Sequence, residues 1–175
     1  MHLLTANTDN FLFLNTNILS FSTAIKRINI LKKQKIKCGY LSGIFDMLHI
    51  GHINYLTIAK NYCDTLFVGM ETTETLKAIK KVPTAINSYE NRLQMMLQQK
   101  SVDYVVRLDS SLNDYNSDAS FEIQTQRYVQ LNPDVIIIPD RTLVNFPRQL
   151  SQIEKAEKAL GKEFEVVEIL SLNQD

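Results

Sequence analysis

From residue 36 onward, short apolar runs alternate with segments whose apolar positions recur at helical spacing. Ile36 to Ser42 (IKCGYLS) reads as a strand, and Ile53 to Tyr62 as a helix with Ile53, Leu56 and Ala59 or Lys60 on successive turns. Thr65 to Met70 (TLFVGM) is a second strand, Thr72 to Lys81 a helix, and Val82 to Asn87 a loop marked by Pro83. Ser88 is placed to cap a helix reaching about Lys100, with Leu93, Met96 and Leu97 inward and Arg92, Gln98 and Gln99 on its polar faces. Val102 to Leu108 is a third strand, and the polar run Asp109 to Ser120 a surface loop. A helix over Phe121 to Leu131 follows, then Asp134 to Ile138 (DVIII), whose β-branched uniformity suits a central parallel strand covered on both faces. Residues 147 to 160 form a helix closed by Gly161 at the usual C-terminal glycine position, and Phe164 to Ile169 is the fifth strand. This alternation implies right-handed crossovers and an α/β, Rossmann-like, doubly wound sheet of five parallel strands with helices on both faces.

Upstream, Ser22 to Lys33 reads as one helix whose basic end (KRINILKK) is a solvated last turn rather than a binding patch. With no internal repeat and no linker, the expected division is an extension over 1–35, its helix packed on a domain over 36–175. A chain of 175 residues suits one domain with a full core. Composition adds exclusions more than assignments. Nineteen basic side chains balance 19 acidic ones, so nothing points to a nucleic-acid or membrane-surface partner, which normally needs a basic excess. Cys38 and Cys63 lack metal-like spacing and read as buried free thiols in a reducing compartment. The start MHLLTANTDN has no basic leader followed by a long apolar run, and Phe11 to Leu14 is too short to span a bilayer. A cytoplasmic protein is expected.

The chemistry concentrates in Gly43 to His52, GIFDMLHIGH, directly after the first strong strand and leading into a helix. In doubly wound sheets that turn, beyond the carboxyl end of a strand, is where ligands sit. Gly43 and Gly51 remove side chains and let backbone N–H groups approach a phosphate. The helix start near His52 offers a positive dipole end to an anion. His49 and His52 stand three apart, so a helical turn would aim both imidazoles the same way. Two of the three histidines in the chain fall in this decapeptide.

The decapeptide matches G-x-F-D-x-x-H-x-G-H, and the chain thereby resembles the cytidylyltransferase-like nucleotidyltransferases, with their HIGH-type, adenine nucleotide alpha hydrolase-like fold. The likeness is particularly to the nucleotidyltransferase domain of ADP-heptose synthase and to glycerol-3-phosphate cytidylyltransferase. It extends over roughly residues 18 to 140. Asp64 to Gly69 (DTLFVG), Ile86 to Leu93 (INSYENRL), Val102 to Val106 (VDYVV) and Pro133 to Ile138 (PDVIII) match successive elements, and Ile18 to Lys37 resembles the helix preceding the domain in heptose-type enzymes. The resemblance implies attack of a phosphate oxygen on the α-phosphorus of CTP or ATP, loss of pyrophosphate, and Mg²⁺ bridging the phosphates. The acceptor it implies is a small phosphorylated molecule, a phospho-sugar or polyol phosphate. His49 and His52 would contact the triphosphate and stabilise the transition state. Gly43, Ile44 and Phe45 would give backbone contacts to the nucleotide, and Arg92 would bind phosphate unless it is a solvated helix residue. Asp46 is a metal or nucleotide contact, or equally a helix cap. Lys77 and Lys80 lie where heptose-type enzymes place lysines near substrate, although exposed helix lysines are common. Relatives are often dimers, which makes a homodimer the expectation by analogy.

Two departures stand out. Family members carry a second nucleotide-binding motif of the RTEGISTT or ISSTxIR kind after the fifth strand, where this sequence reads SLNQD. The glycine-rich turn after the fourth strand is replaced by Pro139-Asp140-Arg141-Thr142. An active enzyme would then need Arg141 or Arg148 in place of the missing groups. The alternative is a catalytically impaired nucleotide-binding or scaffold protein that retains the fold. Reading HIGH as the motif of class I aminoacyl-tRNA synthetases is the third option, but the sequence has no KMSKS-like loop and no room for an anticodon domain.

Overall fold

The computed structural model describes residues 16–140 and 146–170. They form six parallel strands and six helices: β1 (Ile18–Ser20), α1 (Phe21–Lys33), β2 (Cys38–Gly43), α2 (Ile50–Lys60), β3 (Thr65–Met70), α3 (Thr73–Lys80), α4 (Tyr89–Leu97), β4 (Tyr104–Arg107), α5 (Asp118–Leu131), β5 (Val135–Pro139), α6 (Phe146–Leu160) and β6 (Glu165–Ile169). The strand order is β1-β4-β3-β2-β5-β6, every neighbouring pair parallel. The chain leaves β2 first towards β3 and β4 and later crosses to β5 and β6. The reversal of winding falls between β2 and β5, the switch point where such sheets hold ligands.

Successive strand residues face opposite sides of the sheet, and the core divides accordingly. Tyr40, Phe67, Val106 and Ile136 pack with Ala24 and Ile28 of α1, Tyr128 and Leu131 of α5, and Ile153 and Ala156 of α6. Their neighbours Leu41, Val68, Val105 and Ile137 pack on the other face with Leu56 and Ala59 of α2 and Leu93 and Met96 of α4. The uniform apolar runs of β3 and β5 follow from burial on both sides.

The sheet has six strands where the sequence predicts five. The extra strand, β1, is three residues long and pairs on one side only, Ile18 with Val105 and Leu19 with Val106. Three residues give no alternation to detect, and Ser20 at once caps α1, accepting the Thr23 amide at 3.2 Å. Helix α5 also begins earlier than its apolar pattern, at Asp118, because Ser117 caps it by accepting the Ser120 amide at 3.2 Å; the predicted loop therefore ends at residue 117. Ser88 does cap α4, accepting the Asn91 amide, and Gly161 closes α6 with φ +63°. Cys38 and Cys63 are free and buried, and burial above all pushes their thiols up to about 12 and about 11.

Candidate active site

The carboxyl ends of β2, β3 and β5 open into a cavity of about 610 Å³, lined among others by Ser42, Gly43, Ile44, Phe45, Asp46, His49, His52, Glu71, Lys80 and Pro139. That volume suits a small-molecule ligand. Six of the candidate residues, Gly43, Ile44, Phe45, Asp46, His49 and His52, come from the last residue of β2, the connection to α2 or the first turn of α2, and a seventh, Lys80, from the last turn of α3.

The connection is tightly bent. Phe45 sits at φ +45°, a left-handed conformation that a bulky residue adopts only under constraint. Gly43 makes room for it: a Cβ there would lie 2.6 Å from the Phe45 ring. The Phe45 ring meets His52 edge-on, with centroids 5.2 Å apart, and His52 lies 3.9 Å from His49 at an interplanar angle of 31°. His49 is itself the N-cap of α2, its Nδ1 accepting the Gly51 amide at 3.2 Å. Gly51 leaves room there, since a Cβ would approach the His49 ring to 3.0 Å and the ring would have to shift. With Nδ1 accepting, the neutral His49 ring carries its proton on Nε2. Burial first, then the neighbouring His49, holds the His52 imidazole below its usual range, against an opposing hydrogen bond with the Met47 backbone.

Asp46 lines the cavity but is not the helix cap, a position His49 takes. It is 4 % exposed, and its carboxylate accepts the Ile86 amide at 3.1 and 3.2 Å and the Asn87 amide at 3.0 Å. Asn87 returns a side-chain bond to the Asp46 carbonyl. Asp46 thus clamps the 82–87 loop to the histidine arm. Burial works against the charged form, yet the Asn87 and Ile86 amides, with Lys80 and Arg92 nearby, hold its carboxyl below the usual range.

Arg92 is 1 % exposed, so it is not a solvated helix residue, and it is not among the residues lining the cavity. Its Nη1 donates to the Ile44 carbonyl at 2.7 Å and the Glu71 carbonyl at 2.9 Å, and Nη2 to Thr73 Oγ1 at 3.3 Å. The guanidinium ties the ends of β2 and β3 together from behind. Lys80 is exposed and lines the cavity, whereas Lys77, on the same helix, is exposed away from it. Arg148 donates to the Ser117 carbonyl and lies over the Phe121 ring at 5.1 Å, holding the loop before α5 rather than reaching the cavity. Arg141 and residues 171–175, where the second motif was sought, lie outside the described residues.

The sequence reading missed the opposite wall, made by Glu71, Tyr115, Gln124, Phe146 and Gln149. Glu71 carried a usable signal, an acidic residue directly after a strand at the ligand edge. The other four sit on a loop and helices with no local pattern to mark them.

Among the described residues no helix is long and apolar enough to cross a membrane. The chain is 35 % identical over 94 residues to the bifunctional protein HldE of Helicobacter hepaticus and 35 % identical over 95 residues to that of Campylobacter jejuni. Those stretches cover 54 % and 52 % of this chain but 19 % and 21 % of the relatives, so it spans about a fifth of the length of these curated proteins. Among solved structures, a lipopolysaccharide core biosynthesis protein from Thermoplasma volcanium superposes with a TM-score of 0.59 at 24 % identity, over 79 % of this chain and 99 % of that one. The pantoate–β-alanine ligase of Francisella tularensis, complexed with β,γ-ATP and β-alanine, gives 0.58 at 16 % identity over 90 % and 68 %. Both likenesses carry the fold alone. The family model described as cytidylyltransferase-like matches residues 40–174, which takes in the histidine arm and both walls of the cavity. The chain belongs to the cytidylyltransferase-like family.

Proposed function

We propose that the chain transfers a nucleotidyl group from CTP or ATP to a small phosphorylated acceptor, a phospho-sugar or polyol phosphate, and releases pyrophosphate. The observation that carries this reading is the pairing of His49 and His52 at the N-terminus of α2, on the wall of a ligand-sized cavity at the switch point of the sheet. An acceptor phosphate oxygen attacks the α-phosphorus while the bond from that phosphorus to the bridging oxygen breaks, and the electron pair leaves with pyrophosphate. A phosphate monoester is already mostly dianionic at pH 7, with a second pKa of about 6, so the attack needs no general base. The demand is for donors towards the charge that grows on the non-bridging and leaving oxygens. His49 can offer its Nε2–H, His52 an imidazole N–H, and Lys80 a full positive charge. The amides at the start of α2 and the bent Gly43–Phe45 backbone add dipoles. Mg²⁺ belongs to the substrate here, entering as the magnesium complex of the triphosphate with its hard oxygen ligands.

The positions of Arg92 and Arg148, both turned to structural partners, favour a second reading: a nucleotide-binding protein that does not turn over. One assay series separates the two. Pyrophosphate release is measured with MgCTP and MgATP against a panel of phospho-sugars and polyol phosphates, and nucleotide binding by calorimetry. Release with at least one acceptor is expected, and His52→Ala should lower it by about a hundredfold or more, the scale for losing one key donor. Binding without release selects the second reading. Neither binding nor release sinks both.

A further inference from the structure

The wall opposite the histidines holds a charged pair that the transfer chemistry does not use. Glu71 directly follows β3 and is 5 % exposed. Its Oε1 accepts from Arg127 Nη1 at 2.7 Å, with both side chains 7 % exposed, and Arg127 Nη2 donates to the Ser110 carbonyl at 2.8 Å. Oε2 of Glu71 is buried and has no partner, and Glu71 lines the cavity together with Tyr115, Gln124 and Gln149. Burial, the largest influence, pushes the Glu71 carboxyl up, and the Arg127 charge opposes it. A buried ion pair is weak support for stability, and a carboxylate oxygen buried unpaired is a net cost. Fold maintenance therefore leaves the arrangement unexplained; a ligand that brings a donor explains it.

Position and charge say which ligand. The switch point lies between β2 and β5, so a nucleotide bound there meets the histidine arm and the end of β5. Glu71 stands on the other side of β2, one strand spacing or about 5 Å further along the sheet. A carboxylate repels a triphosphate, whereas it accepts strongly from neutral hydroxyls. Gln124 and Gln149 carry amides that can donate and accept beside it.

We propose that Glu71, held by Arg127, determines acceptor specificity: its carboxylate, whose Oε2 has no partner within the protein, accepts a hydrogen bond from a hydroxyl of the non-phosphate part of a polyol or sugar phosphate. The inference rests on the transferase reading for the word acceptor, but the site is tested by binding alone. Glycerol 3-phosphate and glucose 1-phosphate are titrated calorimetrically into the full chain, each beside a hydroxyl-free counterpart, propyl phosphate and cyclohexyl phosphate. The wild type should prefer at least one hydroxylated probe over its counterpart by about tenfold, the scale of a hydrogen bond to a charged group. Glu71→Gln should bring that preference close to unity while the MgCTP and MgATP affinities stay within about twofold. The double variant Glu71→Gln with Arg127→Gln removes both charges, so no arginine is left buried and unpaired, and should lose the preference equally. Any of three results overturns the inference: no preference in the wild type, preference kept in either variant, or nucleotide affinity falling in step with it. Hydroxyl preference without pyrophosphate release under any condition would instead remove the transferase reading and leave the Glu71 site standing.

Discussion

Burial and His49 hold His52 below its usual range, whereas a bound triphosphate would bring negative charge that favours the imidazolium. Its pKa should therefore rise on binding. Between the free and bound values the protein then takes up a proton, and affinity strengthens as pH falls through that window. Calorimetric titration of the magnesium–nucleotide complex near pH 6, in buffers of different ionisation enthalpy, should show net uptake that is absent in His52→Asn. Equal uptake in the variant would move the proton elsewhere, for instance to the nucleotide itself. Arg92 poses a different question, since its guanidinium is engaged by backbone carbonyls. A lysine keeps the charge but cannot span the Ile44 and Glu71 carbonyls as the planar guanidinium does. Arg92→Lys should lower unfolding stability by about 3 kcal/mol, the scale of buried bonds to a charged donor lost. A variant of full stability that only weakens nucleotide binding would restore Arg92 as a direct phosphate ligand.

Among the elements, the 82–87 loop depends on one residue outside itself. Asp46 receives two of its amides, so Asp46→Ala should speed hydrogen exchange at Ile86 and Asn87 by about tenfold or more, leaving the β3 amides unchanged. Unchanged exchange at those two amides would mean that other contacts hold the loop. This clamp also marks where the sequence stops being legible. The five longer strands can be read because uniform apolar runs and helical periodicities are local properties, and GIFDMLHIGH because its chemistry lies within ten residues. Asp46 itself was visible, but its partners lie 40 residues on, and no spacing rule connects them. Glu71 and Arg127 are 56 residues apart on different elements. Arg92 falls at a polar position of an amphipathic pattern, yet the ends of β2 and β3 supply carbonyls that let it bury. Three-residue β1 is fixed by its neighbour β4, a long-range partner that no window of sequence contains.

At the scale of the whole molecule, the proposed function asks a chain of zero formal net charge to hold a triphosphate carrying about four negative charges. Among the described cavity-lining residues Lys80 is the one lysine or arginine; His52 is held below its usual range, and His49 uses Nδ1 to accept the Gly51 amide. Asp46 and Glu71 add acidic side chains to the same walls, the first tied to two amides and the second to Arg127. The wall by itself is poorly matched to a bare triphosphate. Backbone dipoles at α2 offset part of the mismatch, and the rest must come from Mg²⁺ bound to the phosphate oxygens. Ligand at a hundred times its dissociation constant stabilises the native state by about 2.7 kcal/mol. For a chain of this length that raises the melting temperature by roughly 5–10 °C. Thermal denaturation with CTP or ATP should show a shift of that size when Mg²⁺ is present and little shift when a chelator removes it. Whichever base gives the larger shift names the preferred nucleotide. An equal shift with and without Mg²⁺ would mean that the protein supplies positive charge beyond Lys80, and the residues beside Pro139 would be the first place to look for it.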